Sequence, residues 1–214
     1  MLLKKYKNIL FDLDGTLIDT GEGIINSIFY CIKEKNLKKI SLEEAKLFVG
    51  PPLMESFIRV FHLTEEEARE CVKTFRIYYS KYGKLECSPY PYIKEVLETL
   101  LQRGYRLFVA TSKPTVFAEE ILLHFDLAKY FSDIVGSNLD NSRSKKVDII
   151  NYVIDNYNLK REDTLMIGDK DSDIFGAQKS GINSLGVLYG YGSLEEIKNA
   201  CPTLMADNVE DIIK

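Results

Sequence analysis

Lys7-Asn8-Ile9-Leu10-Phe11-Asp12-Leu13 (KNILFDL) runs straight into Asp14-Gly15-Thr16, and this junction sets the expectation for the whole chain. The apolar run is short and ends in Asp-Gly, which reads as a buried strand entering a turn. An isolated DxDG could be a turn former and nothing more. Here, however, Asp12 and Asp14 are two carboxylates at the end of an apolar strand. Their repulsion is unfavourable there unless a cation sits between them. Residues two apart in an extended chain point the same way, so both can face one metal ion or one phosphate.

Beyond the junction the pattern changes. From Gly21 to Gly83 the signals are helical throughout, with Ile25, Ile28, Phe29 and Ile32 on one face. Ser41-Leu42-Glu43-Glu44 and Thr64-Glu65-Glu66-Glu67 both match the capping box that opens a helix. Gly50-Pro51-Pro52 interrupts the helix between them. After Pro89 strand and helix signals alternate. Tyr105–Thr111 (YRLFVAT), Phe131–Val135, Thr164–Gly168 (TLMIG), Leu185–Leu188 and Thr203–Ala206 read as strands. Helices are expected over Tyr92–Arg103, Pro114–Phe125, Val147–Tyr157 and Ile174–Ser180. Such alternation predicts an α/β fold with a parallel sheet covered on both faces. Its ligands would bind beyond the carboxyl ends of the strands.

Composition narrows the function classes. The 214 residues carry 28 Lys+Arg against 32 Asp+Glu, a net charge of −4, with no basic footprint for nucleic acid or an anionic membrane. No apolar run approaches the ~18 residues of a membrane span. Met1 to Asn8 has lysines but no apolar stretch of the signal-peptide kind, and Cys31, Cys71, Cys87 and Cys201 form no CxxC pair. Reduced thiols and a cytoplasmic location are the expectation. Two histidines, His62 and His124, supply little for a zinc site or a Ser-His-Asp hydrolase.

Four groups stand at strand ends or helix starts: Asp12 to Thr16, Thr111-Ser112, Lys145-Lys146, and Gly168-Asp169-Lys170-Asp171-Ser172-Asp173. Thr111 and Ser112, before Lys113-Pro114, read as a helix start whose free N–H groups could meet an anion. The alternating aspartates fail as a calcium loop, since Ile174 and Ser180 stand where Gly and Glu are required. Few carboxylates beside a strand end suit Mg²⁺, which keeps several waters. Together the groups answer one problem, the resistance of an anionic phosphate ester to an anionic nucleophile, which a divalent cation and a lysine relieve. Asp12 would be the nucleophile and Asp14 the acid–base residue, with Thr111 and Lys146 on the phosphoryl oxygens. Asp169, with Asp173 beside or behind it, would complete the metal site.

At these residues the chain resembles the haloacid dehalogenase superfamily, in its phosphoglycolate-phosphatase-like and 5′-nucleotidase-like branch. FDLDGT, VATSKP, the lysine before VDIINYVID, and MIGDKDSD stand in the order of that family's four motifs, over Lys7 to about Asp207. The resemblance implies a Rossmann-like core over residues 1–18 and 86–214, with an all-helical cap over 19–85. It implies a phosphatase of small phosphorylated metabolites with Asp12 as the phosphoryl acceptor and Asp14 as acid–base residue. Mg²⁺ would be held by Asp12, the main-chain carbonyl of Asp14, and Asp169, with Asp173 in support. Thr111, Ser112 and Lys146 would bind the phosphate. The lysine is doubled, and Lys146 is preferred over Lys145 because it directly precedes the helical run. Phe48 to Leu53 reads either as a cap loop for substrate or as a helix connector, and Gly190-Tyr191-Gly192 either as a site-lining loop or as plain surface. Competing readings are a phosphomutase of the β-phosphoglucomutase kind, and a non-catalytic phospho-signalling module of the receiver type.

Overall fold

The computed structural model describes residues 3–140 and 142–214. Its strands are β1 (Asn8–Phe11), β2 (Ile18–Asp19), β3 (Ser88–Pro89), β4 (Arg106–Pro114), β5 (Asp133–Ser137), β6 (Thr164–Gly168), β7 (Asn183–Val187) and β8 (Leu204–Ala206). Its α-helices are α1 (Gly21–Glu34), α2 (Leu42–Lys46), α3 (Leu53–Phe61), α4 (Glu65–Lys81), α5 (Ile93–Gln102), α6 (Thr115–His124), α7 (Lys146–Asn156), α8 (Asp171–Lys179) and α9 (Leu194–Asn199). The chain divides into two compact units, one of Asp19–Ser88 and one of the residues up to Ile18 together with Pro89–Lys214.

The second of these units is the α/β one. Six strands form a parallel sheet in the order β5-β4-β1-β6-β7-β8. All four residues of β1 are buried, as a central strand covered on both faces requires. Asn8 to Phe11 pair with Arg106 to Val109 on one side and with Thr164 to Ile167 on the other. The carboxyl ends of β1, β4 and β6 therefore lie side by side. Helix α7 covers one face because Ile149, Ile150, Val153 and Ile154 recur at helical spacing and pack with Leu10, Phe108 and Met166.

β5 and β7 are each displaced by one or two residues from the expected Phe131–Val135 and Leu185–Leu188, and two further boundaries bear on the site. The strand expected to stop at Thr111 continues to Pro114, with a register shift after Ala110, and α6 begins only at Thr115. Gly136 explains this, because a Cβ there would lie 2.2 Å from the Lys113 carbonyl oxygen. With only a hydrogen in that place, β5 stays close enough to pair Ser137 with Pro114. Thr111 and Ser112 thus lie within β4 and not in the first turn of a helix. Helix α8 also begins early, at Asp171, with the Lys170 N–H donating to Asp173 Oδ2 at 3.1 Å.

The helical unit is built on the two expected capping boxes. The Ser41 side chain accepts from the Glu44 N–H at 3.2 Å and the Thr64 side chain from Glu67 N–H at 3.3 Å, with each glutamate returning to the cap N–H at 2.8 Å. Phe48 and Val49 are buried in this unit, Phe48 packing edge-on to Phe57 with ring centroids 5.1 Å apart. Pro52 sits at the start of α3. The segment Phe48 to Leu53 lies between α2 and α3, and its first two residues are core. Among the described residues, no helix is long and apolar enough to cross a membrane.

Candidate active site

Asp12 follows β1, and its N–H is tied to the Ile167 carbonyl of β6 at 2.9 Å. Asp169 follows β6, and Asp173 lies in the first turn of α8, turned back by its bond to Lys170 N–H. The three carboxylates converge, offering oxygens within 4.8 Å of one another, and all three are buried. Lys146, the first residue of α7, lies between two of them. Its Nζ is 2.9 Å from Asp12 Oδ1 and 2.8 Å from Asp173 Oδ1, and it donates to the Ala110 carbonyl at 3.1 Å. Lys145 is exposed, so of the doubled lysine only Lys146 joins the cluster.

Asp169 is fully buried and held at both oxygens. Oδ1 accepts from the Thr16 hydroxyl at 3.1 Å, and Oδ2 accepts from the Tyr191 N–H at 2.8 Å. Tyr189 in turn donates its hydroxyl to the Thr16 carbonyl at 2.9 Å. The Gly190-Tyr191-Gly192 segment therefore wraps Asp169 and is not plain surface. Gly15 has φ +80°, and a Cβ on it would meet Asp169 Oδ2 at 2.2 Å. On Gly190 a Cβ would lie 2.4 Å from Asp169 Cβ. Both positions need the absence of a side chain for the carboxylate to sit where it does.

The remaining expected residues distribute as follows. Thr111 is buried within β4, where its Oγ1 accepts from Lys113 N–H at 3.2 Å, while Ser112 is half-buried on the other face. The Asp14 side chain does not join the acidic cluster; it is paired instead with Lys113, whose Nζ lies 2.7 and 2.9 Å from its two oxygens. Lys113 was not singled out by sequence reasoning. The signal existed: in an extended strand Thr111 and Lys113 share a face, and only the expected helix start concealed it.

Electrostatics show how the cluster is balanced. Burial, then the neighbouring Asp12 charge, pushes the Asp169 carboxyl up to about 7, against the Tyr191 N–H that favours its ionised form. Burial likewise raises Asp173, with Lys146 acting in the opposite sense. Burial opposes the charge on Lys146, but Asp12 and Asp173 outweigh it and hold the ammonium above the ordinary lysine range. Within the cluster three buried carboxylates (Asp12, Asp169, Asp173) meet one buried ammonium group, that of Lys146. Asp173 Oδ1 has its ion pair with Lys146 but no hydrogen bond of its own. An all-oxygen donor set in which carboxylates outnumber the ammonium group fits a hard divalent cation.

In this parallel α/β core, lysines and carboxylates meet near the carboxyl ends of adjacent strands, an arrangement that could hold a cation beside an anion. The chain belongs to the haloacid dehalogenase-like hydrolases, whose family pattern matches residues 9–187. It is 41% identical over 199 residues to a 5′-nucleotidase of Pseudomonas aeruginosa, covering 93% of this chain and 90% of that one. It is 29% identical to a phosphoglycolate phosphatase of Vibrio parahaemolyticus, over all of this chain and 97% of the other. Among solved structures, that of a predicted phosphatase from Clostridium acetobutylicum superposes with a TM-score of 0.94 at 43% identity, covering 97% of this chain and 96% of its own.

Proposed function

We propose that this protein is a Mg²⁺-dependent phosphatase of small phosphorylated metabolites, acting through Asp12. The observation that carries the reading is the convergence of Asp12 with Lys146 and with the Asp169 and Asp173 carboxylates, all four buried. An Asp12 oxygen attacks phosphorus while the bond from phosphorus to the ester oxygen breaks, and a proton from Asp14 goes to the leaving oxygen. In the second half-reaction a water oxygen attacks the phosphorus, its proton passes to Asp14, and the bond to Asp12 breaks. Asp14 thereby regains the proton that the next leaving group needs. Lys146, with the Thr111 and Ser112 hydroxyls, holds the phosphoryl oxygens. Asp12, Asp169, Asp173 and the main chain at Asp14 would hold Mg²⁺, which supplies charge neutralisation at the phosphoryl group.

The core side chains address only the phosphoryl group, so substrate choice is assigned to the helical unit as a cap. The names of the relatives make nucleoside 5′-monophosphates and phosphoglycolate the first substrates to test. Phosphate release with Mg²⁺ over a panel of phosphorylated metabolites, with para-nitrophenyl phosphate as a generic ester, is the experiment. Release that EDTA abolishes supports the reading. No release from any ester, by protein that binds Mg²⁺, overturns it.

A further inference from the structure

Lys113 is a buried cation with a built position and no part in the chemistry described so far. Thr111 Oγ1 accepts its N–H, and its carbonyl lies against Gly136, where a Cβ would come within 2.2 Å. Gly136 is itself gripped, its N–H donating to the Thr115 hydroxyl at 3.0 Å and its carbonyl accepting from the Arg143 guanidinium at 3.0 Å. From this anchored backbone the ammonium reaches both oxygens of Asp14, with the lysine side chain 5% and the aspartate side chain 10% exposed. A shift of register next to an active site is a common device for re-aiming a side chain, and β4 has its shift between Ala110 and Pro114.

We propose that Lys113 is the positioning residue of Asp14: it fixes the carboxyl group that exchanges a proton with the leaving oxygen and with water. The assignment rests on the phosphatase reading. A two-point grip sets both the place and the plane of the carboxyl group, which proton transfer in the transition state demands. Lys146 by contrast faces the nucleophile and the acidic cluster. The two lysines therefore have separate duties, one toward phosphorus and one toward the leaving group.

The test compares kcat/KM for an alkyl phosphate and for para-nitrophenyl phosphate, whose nitrophenolate leaves without a proton. Lys113→Met should lower kcat/KM for the alkyl ester by on the order of tenfold or more, as part of a general-acid contribution is lost. The nitrophenyl ester should lose less than about threefold, and inhibition by inorganic phosphate should be unchanged. Lys113→Arg, which can still grip a carboxylate at two points, should recover part of the alkyl-ester rate. Because Lys113→Met leaves Asp14 buried without this partner, it could unfold. Asp14→Asn/Lys113→Met removes that charge and should be no slower than Asp14→Asn alone, since two residues acting as one unit are non-additive. Equal losses on both esters, weaker phosphate inhibition, or additive losses in the double variant would each overturn the assignment while leaving the phosphatase reading intact. Absence of wild-type turnover on every ester would overturn both.

Discussion

Lys146→Met keeps the length of the side chain and removes its charge, and the structure says what that leaves behind. The ammonium is 4% exposed and within 3 Å of both Asp12 and Asp173, with Asp169 completing the cluster. Removing one partner of a buried pair typically costs about 3–5 kcal/mol. For a chain of this size each kcal/mol shifts the melting temperature by roughly 2–4 °C, so a loss of roughly 6–20 °C is expected in EDTA. The uncompensated carboxylates should then gain more from Mg²⁺ than those of the wild type do, so the deficit narrows as Mg²⁺ is added. Turnover should remain low, on the order of 10²-fold down, because the contact to the phosphoryl group is lost. Lys145→Ala, at an exposed position, should stay within about 0.5 kcal/mol of wild type. Thermal melts of both variants, with and without Mg²⁺, and steady-state kinetics decide the matter. A Lys146→Met protein that melts within about 2 °C of wild type in EDTA would refute the electrostatic account.

Asp12→Asn keeps the shape of the side chain but is a poor nucleophile, so turnover should vanish in a folded protein; retention of about a tenth of kcat, only ~1.4 kcal/mol in barrier, would sink the covalent route. The pH dependence follows from Asp169 at about 7 and the raised Asp173. Their folded values exceed the ordinary carboxylate value of ~3.9, so the native state holds more protons and the metal-free protein loses stability from them as pH rises through that window. Mg²⁺ needs the ionised forms, so the melting-temperature gain on adding it should grow from about pH 5 to about pH 8; a gain independent of pH would contradict the cluster as the binding site. Gly190→Ala should blunt that gain as well, because its Cβ would meet Asp169 Cβ at 2.4 Å and the Gly15 carbonyl at 2.3 Å. An unaltered Mg²⁺ titration in Gly190→Ala would show that the loop does not set the carboxylate.

The parts of the site legible in the sequence share a property: each follows an apolar run whose period identifies it as a strand. Asp12 after KNILF and Asp169 after TLMIG are of this kind, and the fold class follows from the same runs. Lys146 was legible because the apolar positions of α7 place it at the helix start. What escaped depended on contacts between distant segments. The strand at Lys113 outlasts its apolar run because a glycine in β5 lets the backbones approach, so the face that Lys113 shares with Thr111 could be read only once the strand was known to continue. Gly190-Tyr191-Gly192 looks like any glycine-rich loop until the partner it wraps, Asp169, is known. Phe48 to Leu53 could be read as a cap loop for substrate or as a helix connector, and nothing local showed that Phe48 and Val49 are core. In the helical unit the aromatic packing around Phe57 decides it.

The alignment of β1 with β4 and β6 has a consequence for how the molecule comes into being. Asn8 pairs with Arg106 on one side and with Thr164 on the other, so the rows that join the three strands link residues far apart in the chain. A polypeptide leaving the ribosome presents its N-terminal part first, and pairings of this span form late and slowly. A nascent chain that has emerged as far as α7 already holds Asp12, Asp14, Lys113 and Lys146, but β6 and the aspartates after it are still missing. Such an intermediate carries two of the four buried carboxylates and both ammonium groups, and its charges balance without a metal. The excess of carboxylates arises only when about the last quarter of the chain docks. A cation held by Asp12, Asp169 and Asp173 would thus be a seal on the finished sheet and no template for its assembly.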